Sequence, residues 1–124
     1  MEMLLHYCWK HRLFPPAGLV TTGGLPVEVI DTGLHNHDAG PDFFNAKVKV
    51  DGVLWVGNIE IHSRASDWHR HGHDSDTAYD NVVLHVVENA DTEVTTASGH
   101  NVPQVRMSVP RHVSENYGEL LSAD

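Results

Sequence analysis

Imidazole and carboxylate side chains are concentrated in one part of this 124-residue sequence. Seven of its 11 histidines lie between His35 and His85. The acidic residues interspersed among them include Asp42, Glu60, Asp67, Asp74, Asp76 and Asp80. Both side-chain types bind divalent metal ions, and imidazole also exchanges protons near neutral pH. We therefore expect a functional site in this stretch.

Composition indicates one globular domain over residues 1–124, with a hydrophobic fraction of 40% and a charged fraction of 20%. No apolar run approaches the roughly 20 residues of a membrane span. No signal peptide is evident, so we expect a cytoplasmic protein without membrane contact. The formal net charge of −9 disfavours nucleic-acid binding unless bound cations or a further segment supply positive charge. The C-terminal SENYGELLSAD reads as the start of a helix, which indicates the N-terminal part of a longer protein.

Hydrophobic periodicity predicts an α+β fold, with a mostly antiparallel or mixed sheet flanked by helices. Asp51-Gly52 predicts a two-residue hairpin turn. Ser114 is expected to cap a terminal helix over 116–121. Other helices are expected over 3–13 and near 76–79, and strands over 27–30, 43–50, 53–62, 81–87, 92–96 and 104–109.

The open end of the predicted hairpin gathers side chains that could perform chemistry. Asp42 begins one strand, and Glu60 and His62 lie near the end of its partner, two residues apart and so on one face. Two carboxylates can hold a hard ion such as Mg²⁺ or Mn²⁺, with Zn²⁺ as an alternative. An ion there could polarise a phosphoryl or carbonyl oxygen and lower the pKa of bound water. The hairpin end is therefore a candidate metal site.

Pro41-Asp42 followed by Glu60-Ile61-His62 on the next strand resembles the signature of the PD-(D/E)XK nuclease superfamily. There an aspartate begins one strand, and an acidic-x-lysine triplet lies on its neighbour. The expected order of helix, three strands, helix and further strands is also similar, so the resemblance implies a restriction-endonuclease-like core. It implies that Asp42 and Glu60 bind metal and that His62 replaces the lysine. Histidine is only partly charged at pH 7, so His62 acts as a base or the site has lost its activity.

Several longer segments resemble an uncharacterised bacterial family of unknown function. They are LHYCWKHRLF, GPDFFNAKV, GNIEIH, SDWHRHGHD and YDNVVLHVV. This resemblance covers most of the chain and implies a bacterial protein whose parent chain is longer. It implies no activity.

The register of the hairpin decides whether Asp42 reaches Glu60. With a strict two-residue turn, Asp42 lies opposite Ile61 and points away from Glu60. A β-bulge would turn Asp42 toward Glu60, and Pro41 before it and Gly57 on the opposite strand would allow one. The strict register would instead give one wholly apolar face, formed by Phe44, Ala46, Val48, Val50, Val53, Trp55, Ile59 and Ile61.

The run His69, His71 and His73 is a second candidate metal site. In an extended conformation the three imidazoles would lie on one side and could chelate zinc. HRHGHD departs from the H-x-H-x-D-H pattern of metallo-β-lactamase-type hydrolases, since His73 stands where that pattern has aspartate. A solvated polar loop is the alternative. His85, on an apolar strand, is expected to be a hydrogen-bonded core residue.

These observations favour a divalent-metal-dependent phosphodiester hydrolase, nuclease-like in fold, or a descendant without activity. We expect His62 and Glu60 at the catalytic centre, and nucleic acid as the partner of an active site. Residues expected to contact substrate or support the site are Asn58, Asp67, Trp68, His71, His73 and Asp76. One alternative is a non-catalytic interaction module with a histidine-rich loop, in which Asp42 would point away from Glu60. The other is a zinc hydrolase built on residues 69–74, which requires those imidazoles to converge.

Overall fold

One mixed sheet forms the body of the protein in the computed structural model, which describes residues 2–116. The strands are β1 (Leu19–Val20), β2 (Pro26–Asp31), β3 (Leu34–His35), β4 (Phe43–Val50), β5 (Val53–Arg64), β6 (Val82–Asn89) and β7 (Gln104–Arg106). The helices are α1 (Glu2–Lys10), α2 (Asp67–Arg70) and α3 (Arg111–Glu115), with 3-10 turns at His73–Ser75 and Thr77–Tyr79. The α+β class and the mixed sheet are confirmed.

The strands follow the order β1-β2-β4-β5-β6-β7, with β3 beside β4. Pairings from β1 through β5 are antiparallel, whereas β6 runs parallel to β5 and β7 parallel to β6. Thr21 forms an antiparallel bridge with Val105. The Thr22 N–H also donates to the carbonyl of Gln104 at 2.9 Å. The two outer edges therefore meet, and the sheet nearly closes on itself.

The connection from β5 to β6 is a crossover, because parallel neighbours cannot be joined by a hairpin. It passes through α2 and both 3-10 turns, so the histidine run returns across the end of β5. The two strands come very close at Gly57. A Cβ there would clash with the Val83 side chain and lie 2.5 Å from the carbonyl of Asn81.

The core lies between α1 and the sheet. Leu5, Cys8 and Trp9 of α1 are fully buried and pack with apolar side chains of the central strands such as Ile59 and Ile61. Their spacing follows the helical period, and Pro15 and Pro16 lie a few residues after α1 ends. Within residues 2–116, no helix has the length and apolar character of a membrane span.

Two local expectations are wrong. The segment 92–96 is not a strand, and only Thr95 forms a bridge, with Asn101. Its carbonyls are used by side chains: Gln104 donates to the carbonyl of Thr92, and Trp68 to that of Thr95. Ser114 lies inside α3 instead of capping a helix. The remainder of the expected terminal helix lies outside the described residues.

Candidate metal centre

A β-bulge in β4 brings Asp42 and Glu60 to the same side of the hairpin. Pairing of β4 with β5 is strict from the turn onward and then shifts by one residue, so that Phe43 pairs with Ile59. Asn45 is the extra residue, and its φ of 57° lies in the left-handed region that asparagine tolerates. Asp42 lies just before this pair. Its N–H donates to the carbonyl of Ile59 at 3.1 Å, and its carboxyl group contacts that of Glu60. The β-bulge that would turn Asp42 toward Glu60 is therefore confirmed.

The bulge also exchanges the faces of two phenylalanines. Phe43 is fully buried, while Phe44 is only half-buried. The wholly apolar face expected from strict register, with Phe44 inside, is therefore wrong. Val53 and Trp55 near the turn are exposed as well.

The carboxyl groups of Asp42 and Glu60 lie close enough to influence each other's titration. Burial, followed by the charge of Glu60, raises the pKa of Asp42 to about 8, although Asp42 Oδ2 accepts a hydrogen bond from the Ile61 N–H at 2.8 Å. Burial also acts to raise the pKa of Glu60, but hydrogen bonds from His62 and His73 outweigh it and lower that pKa to about 2. A nearby divalent cation would favour ionisation of both groups.

Glu60 is the centre of the site and is only 4% exposed. Its Oε2 accepts a hydrogen bond from His73 Nε2 at 2.9 Å and lies 3.2 Å from His62 Nε2. Its Oε1 is buried and bonds to neither histidine, while the carboxyl group of Asp42 hydrogen-bonds Glu60. Two buried carboxyl groups in contact disfavour ionisation of one of them, which a bound cation would offset.

A chain of buried hydrogen bonds extends from His62 on the side away from Glu60. His62 Nδ1 lies 2.7 Å from His85 Nε2, and His85 Nδ1 lies 2.7 Å from Gln104 Oε1. Gln104 Nε2 donates to the carbonyl of Thr92 at 2.8 Å, so Oε1 is the acceptor and His85 donates through Nδ1. The expectation that His85 is a hydrogen-bonded core residue is confirmed.

This chain determines the tautomer of His62. Burial lowers the pKa of His85 to about 4, so that imidazole is neutral and its Nε2 is an acceptor. His62 must then donate through Nδ1. At His62 Nε2, opposite Glu60, there is consequently either a second proton or a lone pair.

His71 and His73 approach His62 from the crossover. One ring nitrogen from each of the three residues lies within 4.8 Å of the other two. His62 and His73 are buried, whereas His71 is exposed. We call this group the imidazole cluster. It is a set of nitrogen donors beside the Asp42–Glu60 pair.

His69 does not belong to the imidazole cluster. It is exposed, with Nδ1 3.2 Å from Asp74 Oδ2 and Nε2 3.1 Å from the carbonyl of Glu93. The third imidazole comes from β5, as His62, and not from the run itself. The three imidazoles of the run, His69, His71 and His73, therefore do not converge.

The helix α1 supplies two further candidate ligands that the sequence analysis did not single out. Ligand atoms of Glu2, His6 and Asp42 lie within 4.8 Å of one another. His6 Nε2 is 3.5 Å from Asp42 Oδ2. Burial raises the pKa of Glu2 and lowers that of His6 to about 4. Their spacing of four residues on a helix was the available signal, since it places both on one face.

One family matches this chain throughout its described length. A family model described as protein of unknown function (DUF2851) matches residues 2–124. The chain belongs to the DUF2851 family. No curated protein and no solved structure matches it. The expected membership of an uncharacterised family is confirmed, and the description of DUF2851 assigns no activity.

Two residues predicted to support the site of this DUF2851 chain lie beneath it. Trp68 is fully buried, donates from Nε1 to the carbonyl of Thr95 at 2.8 Å, and packs edge-on against His73 and His85. It therefore packs under the imidazole cluster and offers no open surface for stacking. Asp67 is 7% exposed and pairs with Arg70 at 3.1 Å.

Two other predicted residues of the DUF2851 chain shape its backbone. Asn58 accepts the Asn45 N–H through Oδ1 at 3.2 Å and so stabilises the bulge. Asp76 accepts the Ala78 N–H through Oδ1 at 2.9 Å and begins a 3-10 turn. A direct contact of either residue with substrate remains a prediction.

A cleft of about 520 Å³ opens beside the Asp42 side of the site. Its lining includes His6, Lys10, His37 and Asp42. A larger cavity, about 820 Å³, is lined near the hairpin turn by apolar side chains such as Trp55 and contains none of the candidate ligands. In this DUF2851 chain, the smaller cleft is therefore the route by which a ligand would reach Asp42.

Proposed function

We propose that this protein is a divalent-metal-dependent phosphodiester hydrolase with a restriction-endonuclease-like core. The observation that carries the proposal is the bulge at Asn45, beside which the half-buried carboxyl group of Asp42 meets the buried one of Glu60. The strict register would have separated these carboxylates. A local irregularity that assembles a charged pair is more typical of a functional site than of a structural one.

The order and direction of the elements support the same proposal. The helix α1 precedes the antiparallel strands β2, β4 and β5, and a helical crossover leads to β6, which is parallel to β5. Asp42 lies next to the start of the second of these strands, and Glu60 and His62 lie on the third. This is the arrangement that the resemblance to PD-(D/E)XK nucleases implies.

The donor set fits a hard or borderline divalent ion. Asp42 and Glu60 would hold it, and Glu2 and His6 of α1, whose ligand atoms lie within 4.8 Å of that of Asp42, would complete the set. The contact between the carboxyl groups of Asp42 and Glu60 and the raised pKa of Asp42 are both features that a cation would relieve. The imidazole of His6 favours Mn²⁺ over Mg²⁺, because nitrogen ligands suit transition metals better. When bound, such an ion supplies a Lewis acid for a phosphoryl oxygen and lowers the pKa of water.

The protein's own groups would orient the substrate and move the proton. His62 stands where the nuclease superfamily that this chain resembles has lysine. While no ion is bound at its Nε2, that nitrogen can accept a proton from water, and Nδ1 stays bonded to His85. Lys10 lines the cleft beside Asp42 and supplies a positive charge for a phosphodiester. Bound cations would also reduce the repulsion that a chain of net charge −9 exerts on nucleic acid.

The alternatives make different structural demands. A non-catalytic interaction module would leave Asp42 pointing away from Glu60, and the shifted register favours the metal-dependent hydrolase over it. A descendant without activity would keep the metal site and lose cleavage. Binding and turnover must therefore be measured separately.

The test is a Mn²⁺ titration by calorimetry on the wild type, Glu60→Gln and a control. Glu28→Gln is a matched control, because it makes the same change at an exposed glutamate of β2. We expect binding by the wild type and Glu28→Gln and its loss in Glu60→Gln, with circular dichroism confirming that all three are folded. Cleavage of single-stranded DNA, duplex DNA and RNA is then assayed with Mn²⁺. Absence of Mn²⁺ binding by the wild type would overturn the proposal, and binding without cleavage of any substrate would assign an inactive descendant.

A further inference from the structure

We propose that the imidazole cluster of His62, His71 and His73 binds a second ion of the zinc class, beside the Asp42 site and sharing Glu60 with it. This inference goes beyond the proposed function, because the cluster would bind such an ion whatever the substrate. Three imidazoles and one carboxylate form a donor set typical of zinc sites.

The spacing of the donor atoms resembles that around a bound ion. Glu60 Oε2 lies 2.9 Å from His73 Nε2 and 3.2 Å from His62 Nε2. Neighbouring ligands of a tetrahedral zinc ion, at the usual zinc–nitrogen distance, are about 3.3 Å apart. In the absence of an ion, protons hold these atoms together, and metal binding replaces such protons. Glu60 Oε2 and the nitrogens of His62 and His73 therefore already lie at ligand spacing, and the exposed ring of His71, whose ligand nitrogen lies within 4.8 Å of theirs, completes the sphere by moving inward.

The buried hydrogen bonds behind His62 support the assignment independently. Gln104 and His85 force His62 to donate through Nδ1, which leaves Nε2 toward Glu60. A lone pair at 3.2 Å from a carboxylate oxygen is unfavourable unless a positive charge lies between them. That charge is a proton or a metal ion. A second residue that fixes the tautomer of a histidine is a common accompaniment of metal ligation.

His71 provides the accessible side of the cluster. Its exposed ring lies with its centroid 5.2 Å from that of His62 and 5.6 Å from that of His73. An exposed ligand lets an ion enter without unfolding of the crossover.

Glu60 would link the two ions. Its Oε2 contacts both buried imidazoles, while Oε1 bonds to neither of them and Glu60 also hydrogen-bonds the carboxyl group of Asp42. We assign Oε2 to the imidazole cluster and Oε1 to the Asp42 site. Nitrogen donors select zinc-class ions at the first site, and oxygen donors select Mn²⁺ or Mg²⁺ at the second.

The experiment uses Co²⁺ as a spectroscopic probe and Zn²⁺ in calorimetry at pH 7.5 after treatment with a chelator. His71→Ala is the informative variant, since the residue is exposed and its loss should not unfold the protein. His69→Ala is its matched control, two positions away and outside the cluster. We expect one Zn²⁺ per chain in the wild type and in His69→Ala, and at least about tenfold weaker binding in His71→Ala.

The Co²⁺ spectrum identifies the geometry. We expect strong visible absorption from a four-coordinate ion in the wild type, lost in His71→Ala and kept in His69→Ala. Equal Zn²⁺ affinity in the wild type and His71→Ala, or no stoichiometric binding by the wild type, would overturn the assignment. A His62→Gln variant, checked for folding by circular dichroism, provides a second measurement and should also lose Zn²⁺.

Asp42→Asn separates this inference from the proposed function. It should lose Mn²⁺ binding and keep the Zn²⁺ bound by the imidazole cluster. Zn²⁺ binding without any Mn²⁺ binding would support the second site and remove the first. Mn²⁺ binding that depends on Glu60, combined with Zn²⁺ binding that does not depend on His71, would support the Asp42 site and remove the imidazole-cluster site.

Discussion

The backbone N–H of Asn45 donates to the side-chain Oδ1 of Asn58 at 3.2 Å across β4 and β5. The bulge takes the Asn45 N–H out of the backbone hydrogen bonding between the two strands, and this hydrogen bond satisfies it instead. Through the bulge, it determines which face of the hairpin Asp42 occupies. We therefore expect the contact between the exposed Asn45 and the half-buried Asn58 to control whether the carboxyl groups of Asp42 and Glu60 meet.

Replacing Asn45 with valine should weaken both folding and metal binding. Valine is strained at a φ of 57°, so we expect the free energy of unfolding to fall by about 1–2 kcal/mol. Mn²⁺ affinity should fall as well, because relief of the strain returns Asp42 toward the strict register. Urea denaturation and calorimetry measure the two effects. Asn45→Gly keeps the backbone conformation accessible and is the control; equal losses in both variants would contradict a role for the left-handed conformation.

Gly57 is predicted to be intolerant of a side chain. A Cβ there would meet the side chain of Val83 and the carbonyl of Asn81, both on the neighbouring segment. We expect Gly57→Ala to lower the free energy of unfolding by about 3 kcal/mol, because backbone cannot move aside as a flexible side chain can. Gly52→Ala is a useful comparison, since Gly52 has a φ of 80° but open space around it. That variant should cost only about 1 kcal/mol, and an equal cost for the two would show that β5 and β6 are less tightly apposed.

Local sequence patterns correctly predicted the secondary structure that is determined by residues close together in the chain. Alternation and Asp51-Gly52 predicted the hairpin of β4 and β5, and the strict pairing beyond the turn is observed. The sequence predicted that Asp42 and Glu60 would meet only if a β-bulge shifted the register of the hairpin. The position of that bulge depends on Asn45, which adopts a left-handed conformation and donates a hydrogen bond to Asn58 on the opposite strand.

Contacts between distant segments could not be predicted in the same way. His85 pairs in register with Glu60, but only because a crossover makes β6 parallel to β5. Gln104 reaches His85 from a third strand. Neither residue forms a motif with His62 in the sequence, so the buried chain that orients His62 has no local signal. The same holds for His6, which meets Asp42 through the packing of α1 on the sheet.

The pKa of Asp42 predicts a dependence of stability on pH in the metal-free protein. Burial and the charge of Glu60 raise this pKa from 3.8 to about 8. The unfolded chain therefore releases its proton near pH 4, while the folded protein keeps it until about pH 8. The stabilisation due to this group is complete below pH 4 and is lost as the pH rises toward 8. The lowered pKa of Glu60 acts in a different window, between its ordinary value of 4.5 and about 2.

The substitution Asp42→Asn should remove the loss of stability that the wild type shows as the pH rises from about 4 to 8. In the presence of a chelator, we expect the variant to exceed the wild type by about 1–3 kcal/mol in free energy of unfolding above pH 8, and to match it near pH 4. Urea denaturation at several pH values measures the difference. Saturating Mn²⁺ should reverse the order, since only the wild type gains stability from the bound ion. A difference between the two proteins that does not vary with pH would contradict the raised pKa.

The tautomer of His62 should depend on Gln104, which does not touch it. Gln104→Leu removes the acceptor for His85 Nδ1, so we expect a loss of about 1–3 kcal/mol from the free energy of unfolding. His85 can then donate through Nε2 instead, which makes His62 Nδ1 an acceptor and moves the His62 proton to Nε2. Nitrogen-15 spectra of the imidazoles in the metal-free protein at pH 8 distinguish the two forms. Gln104→Glu keeps an oxygen acceptor at this position and should restore the wild-type tautomer. A His62 proton that stays on Nδ1 in Gln104→Leu would show that the buried chain does not set its tautomer.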